Sequence, residues 1–162
     1  MSAADPSRTD AGTPEERIAA FGLTLPAPAT PLAAYLPAVR DGDRVWTSGQ
    51  LPTVDGTLLA AGKVGSDVSQ EEAVDCARQC ALNALAAIKG VVGELSAVRQ
   101  IVKVVVFVAS DIGFTAQPAV ANGASEFLVQ AFGDAGKHVR SAVGVAVLPL
   151  DAPVEVELVV RV

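Results

Sequence analysis

Arg140 and Glu155 are the residues whose type and setting best suit chemistry on a small anion. Arg140 stands in the run His138-Val139-Arg140-Ser141-Ala142-Val143-Gly144, where one guanidinium has small residues on its own side of an alternating pattern and so has room for a ligand beside it. The planar fork of an arginine matches a carboxylate. It would equally serve an ion pair at an interface, and the pattern leaves both readings open. Glu155, in Val154-Glu155-Val156-Glu157, has the chemistry of a general base or water anchor, or of a solvated strand face shared with Glu157.

The other reactive side chains point elsewhere. Ser48 has no partner in a triad order, since the single histidine, His138, lies far along the chain, so nucleophilic serine catalysis is disfavoured. His138 falls on the same strand face as Arg140 and reads as a neighbour of that group or as a surface residue. Tyr35 either places its hydroxyl in a cleft or packs with a wet tip. Cys76 and Cys80, four apart on one apolar helix face, match neither a redox pair nor a zinc knuckle and read as buried thiols. With two cysteines and one histidine, a metal site lacks ligands, and no cofactor is expected. Gly62-Lys63-Val64-Gly65 lacks the spacing of a phosphate loop and is taken as an ordinary loop.

The elements that position these residues are marked by local signals. Thr13-Pro14-Glu15-Glu16 is a capping box with proline at the first helical position, and Gly22 ends that helix. Strands are expected at Tyr35–Val39 and Arg44–Gln50 around Asp41-Gly42-Asp43, with a further turn at Asp55-Gly56. Ser69-Gln70-Glu71-Glu72 opens a long helix reaching about Lys89. Ile101–Val108 is a continuous β-branched run, the mark of a strand covered on both faces, and a second long helix is expected from about Gln117 to Phe132, stopped by Gly133. Two strands close the chain, Val139–Val147 and Val154–Arg161. The class is α+β, a mixed sheet with both long helices on one face. Residues 1–12 are expected to be a disordered lead, and 13–162 one domain.

Composition narrows the function. A net charge of −6 with no basic run disfavours nucleic acid. The longest uncharged stretch, Gly22 to Val39, carries Pro26, Pro28, Pro31 and Pro37 and cannot be a membrane helix. Without a signal sequence in the lead, the expected location is the cytoplasm.

Alternation in the last two strands predicts that Val139, Val143, Val145 and Val147 face the helices, as do Val154, Val156, Leu158 and Val160. Arg140, Glu155 and Glu157 then share the side away from the helices. If these strands pair as a hairpin around Leu150, Arg140 lies opposite Arg161 and roughly 20 Å from Glu155, too far for joint action within one chain. A sheet covered on one side only also needs a cover for the other. Both points predict a homo-oligomer packed sheet to sheet.

Trp46-Thr47-Ser48-Gly49-Gln50-Leu51-Pro52, the strand Ile101–Val108, Val139-Arg140-Ser141 and Leu148-Pro149 before Val154-Glu155-Val156-Glu157 resemble the YjgF/RidA family of enamine/imine deaminases, formerly grouped as L-PSP endoribonucleases. The resemblance covers residues 30–162. It implies a chorismate-mutase-like fold, a homotrimer and clefts between subunits in which 2-imino or enamino acids are hydrolysed to 2-keto acids and ammonia. It further implies that Arg140 grips the substrate carboxylate, that Glu155 positions the attacking water, and that Tyr35, Ser48 and Asn122 complete the pocket. Ala142 stands where many members have cysteine, Ala33-Ala34 where they have Gly-Pro, and the loop before Asn122 is longer. The rival reading is a trimeric module that binds keto acids or related carboxylates without turnover.

Overall fold

The structure is a computed structural model that describes residues 12–28 and 34–162. The expected disordered lead lies outside the described residues except for Gly12. The first helix, α1 (Pro14–Ala20), begins at a complete capping box: Thr13 Oγ1 accepts from the Glu16 amide at 3.2 Å, and the Glu16 carboxylate accepts from the Thr13 amide at 2.6 Å. Strands β1 (Ala38–Asp41) and β2 (Arg44–Thr47) form a hairpin whose turn uses Gly42 at φ +61°. Strand β1 thus starts three residues later than the expected Tyr35. A small ribbon, β3 (Thr53–Val54) with β4 (Thr57–Leu58), follows.

Helix α2 (Gln70–Val92) starts at the Ser69–Glu72 capping box and runs past the expected Lys89 to the Gly93 cap at φ +86°. Then come β5 (Gln100–Ala109), α3 (Gln117–Phe132), β6 (Val139–Val145) and β7 (Val154–Arg161). The five longer strands form one sheet in the order β1-β2-β7-β5-β6. Only β5 with β6 is parallel, and α3 makes that crossover, as parallel neighbours require. The sheet is therefore mixed and the long helices lie on one face, as expected.

The expected hairpin between the last two strands does not form, because β5 lies between them, parallel to β6 and antiparallel to β7. One consequence is a reversal of faces on β6. Arg140, Ala142 and Gly144 pair with Val104, Val106 and Val108, which are buried beneath the helices, so these three residues share the helix side. Val139 and Val143 stand on the open face and are exposed. The face assignment for β7 holds: Val154, Val156, Leu158 and Val160 are buried, and Glu155 and Glu157 lie on the open side opposite Phe107 and Val105.

Small residues let the helical layer sit close. Helix α2 buries Ala73, Ala77, Ala81, Ala84, Ala86 and Ala87, and at Gly123 of α3 an added Cβ would run into the Val74 carbonyl oxygen of α2. Gly123→Ala must therefore push two backbones apart. It is expected to cost about 1–3 kcal/mol and to lower the thermal midpoint by several degrees, read by circular dichroism.

Candidate functional site

The residues singled out from the sequence fall into two groups. The first surrounds Arg140, which projects from the sheet's edge strand over the end of α3. Its Nη1 donates to Asn122 Oδ1 at 2.9 Å and to Ser125 Oγ at 3.1 Å, and Nη2 donates to the Pro118 carbonyl at 3.4 Å. All three acceptors are neutral. No carboxylate among the described residues forms an ion pair with Arg140, and two of its five N–H groups, one on Nε and one on Nη2, have no acceptor. A guanidinium with unused donors has the chemistry to take a carboxylate. Ala142, two residues on, packs partly against the core and adds no polar group.

His138 stands beside Arg140 on this same side. Its Nδ1 donates to the Gly136 carbonyl at 2.6 Å, and its Nε2 lies 2.9 Å from Ser125 Oγ. Desolvation is the largest influence on the ring and lowers its pKa; the Arg140 charge works in the same direction and the Gly136 hydrogen bond opposes both. Ser125 was not legible as a site residue in the sequence. Its one signal is helical spacing, three residues after Asn122 and so on the same side of α3.

The second group lies at the β1–β2 end of the open face. Tyr35 and Ser48 line a cavity of about 360 Å³ with Ala34, Leu36, Val39, Trp46 and Thr47. Ser48 Oγ donates to the Leu36 carbonyl at 2.6 Å and its amide to Pro37, which ties the strap carrying Tyr35 to the end of β2. Glu155 lies against Gly49, where a Cβ would collide with its carboxylate. Burial first, and the negative charge of Glu157 second, raise the Glu155 pKa.

The structure brings Arg140 together with Asn122, and Tyr35 together with Ser48, but keeps Arg140 from Glu155. The two sit on opposite faces, two strands apart and three residues out of register, a Cα separation of about 14 Å by strand geometry. The hairpin separation of roughly 20 Å is thus replaced by a smaller one, with the added barrier of the sheet itself.

Comparison with known proteins agrees with this architecture. Residues 15–162 match the family described as "YjgF/chorismate_mutase-like, putative endoribonuclease". The chain belongs to the YjgF/RidA family. Protein TCP17 of Trypanosoma cruzi is 41% identical over 142 residues, 87% of this chain and 89% of that protein. A crystal structure of an endoribonuclease-designated protein from Shewanella oneidensis is 36% identical, covers 93% of this chain and 100% of its own, and superposes with a TM-score of 0.90. TdcF of E. coli, crystallised with bound serine, is 28% identical over 86% of this chain and 95% of its own, with a TM-score of 0.58.

Elsewhere this YjgF/RidA chain offers little reactive chemistry. Among the described residues no three His, Cys, Asp or Glu side chains cluster to hold a metal ion, and no helix is long and apolar enough to cross a membrane. Both cysteines are free and buried on the core side of α2, and Cys80 Sγ donates to the Val154 carbonyl at 3.5 Å. Burial, with the charges of Asp75 and Glu72, raises the Cys76 thiol to about 11, and burial raises Cys80 well above its ordinary value. A disulfide reagent at pH 8 should therefore find no fast-reacting thiol in the folded protein and two in guanidinium.

His138 titrates alone and is directly readable as the chain's single histidine. Its proton resonances should move with a midpoint below 6.5. The folded ring binds its proton less readily than the unfolded one, so its contribution to stability is full above 6.5 and is lost as pH falls towards the lowered value. Denaturant midpoints measured across pH 5–8 should show that loss, and His138→Gln should remove it.

Proposed function

We propose that the chain hydrolyses 2-imino or enamino acids to 2-keto acids and ammonia, in clefts between the subunits of a cytoplasmic homotrimer. The observation that carries this reading is Arg140. A half-buried guanidinium that meets only neutral acceptors among the described residues, with two donors to spare, is suited to an anion. Asn122 and Pro118 hold its other edge, which fixes the plane of the fork.

The second group supplies the remaining chemistry. Glu155, with its pKa raised by burial and Glu157, holds a proton more readily than an exposed carboxylate and is suited to taking a proton from water and orienting that water towards the C=N carbon. Tyr35 and Ser48 shape the pocket beside it. Because Arg140 and Glu155 lie on opposite faces of one sheet, joint action needs the Glu155 group of a neighbouring subunit. Arg140 stands on the edge strand β6, within reach of a subunit that packs past that edge, and such a neighbour would also cover the exposed Val39, Trp46, Val139 and Val143, over which no described element of the same chain lies. An imine is already electrophilic, so the scheme uses no cofactor.

Binding without turnover is the second reading, favoured by the serine bound in the TdcF structure, an amino acid whose carboxylate would suit the Arg140 fork. Kinetics separate the two. With an amino-acid oxidase generating 2-imino acids in situ, the purified chain should accelerate imine loss. Arg140→Ala should lower kcat/KM roughly 10- to 100-fold by loss of a charged hydrogen-bonded contact. Glu155→Gln should lower kcat about 100-fold or more while keto-acid binding by calorimetry persists. A folded trimer that binds keto acids and accelerates nothing would establish the binding module, and a monomer would remove the shared cleft.

A further inference from the structure

Ser125, His138 and Gly136 form a chain of contacts that the carboxylate-binding scheme does not use. A carbonyl oxygen can only accept, so the 2.6 Å contact to Gly136 places a proton on His138 Nδ1. In the neutral ring Nε2 is then an acceptor, and at 2.9 Å it takes the hydrogen bond of the Ser125 hydroxyl. The arrangement is that of a nucleophile paired with a base, the base in turn oriented by a third group. Arg140 Nη1 donates to the same Ser125 oxygen at 3.1 Å, which stabilises negative charge there and still leaves one lone pair for attack.

The surroundings supply the other parts of an acyl-transfer site. Ser125 is half-buried and opens into a surface depression of about 410 Å³, lined also by Glu126, Val129 and Gln130, whose wall is mainly apolar. Asn122, one turn earlier on α3, accepts from Arg140 at its Oδ1, and its Nδ2 donates to none of the described residues. Those hydrogens and the two spare Arg140 donors are candidates to receive an oxyanion.

We propose that Ser125 is a nucleophile activated by His138, and that the pair hydrolyses oxygen esters of short aliphatic acids whose acyl chain lies in the Val129 depression. The Ser125 oxygen bonds to the acyl carbon as its proton passes to His138 Nε2. The C–O bond to the alcohol breaks, and that proton leaves with the alcohol. Water, deprotonated by Nε2, then cleaves the acyl-serine and returns the carboxylic acid and the free hydroxyl. This activity uses Arg140 but does not depend on imine hydrolysis.

The full-length chain treated at pH 7.5 with a fluorophosphonate should gain one adduct on Ser125, located by peptide mass spectrometry, and should release p-nitrophenol from p-nitrophenyl butyrate. The rate should rise with pH through a midpoint below 6.5, set by His138 under the charge of Arg140, with Glu126 beside Ser125 in the depression and the Lys137–Asp134 pair adjoining along the chain. Ser125→Ala and His138→Gln should each lower both readouts at least 100-fold, with folding checked by circular dichroism. Native protein that labels no faster at Ser125 than denatured protein would overturn the proposal without any variant. So would esterase activity that survives Ser125→Ala.

Discussion

The close seating of two helices on one face of the sheet is the constraint from which the rest follows. Alanine after alanine along α2, and Gly123 of α3 against the Val74 carbonyl, allow backbone to approach backbone where larger side chains would hold the layer off. With α3 so close, an arginine on the edge strand can reach across to Asn122, Ser125 and the Pro118 carbonyl. The proposed anion site and the serine–histidine contact both depend on that distance. Neither belongs to one element; each is made where α3 overhangs β6.

One-sided packing has a second effect. The face opposite the helices carries Trp46, Val39, Val139 and Val143 in partial exposure, together with the two glutamates of β7. Burial and mutual repulsion act on Glu155 even in the single chain. In the proposed assembly this face serves twice, as adhesive surface and as the source of an acid or base. The polar and apolar residues on it are interleaved as that double use needs.

Much of this was legible locally. Both capping boxes were readable from four residues each, because the bonds that make them span three positions. The alternation of β7 was readable because its two sides differ sharply, aliphatic against charged. In β6 both sides are apolar or small apart from Arg140, and the rule that valines face the core chose the wrong one. An arginine at the edge of a sheet can lie over the first half of a helix and find acceptors there for three of its five donors, so its charge did not mark the solvent side. Ser125 was hidden for a related reason: a serine within a helix carries no signal until its neighbour across the layer is known.

The sequence by itself therefore determined where the two capped helices begin, the two sides of β7, the family, and the residue types of the proposed anion site. Those properties rest on interactions within a few positions or on motifs retained as runs. The tertiary structure alone decided that β5 separates β6 from β7, that Arg140 turns under α3 while Glu155 faces outward, and that His138 meets Ser125. Strand order and facing are set by pairing between segments tens of residues apart, where a parallel crossover and a hairpin are equally compatible with the local pattern.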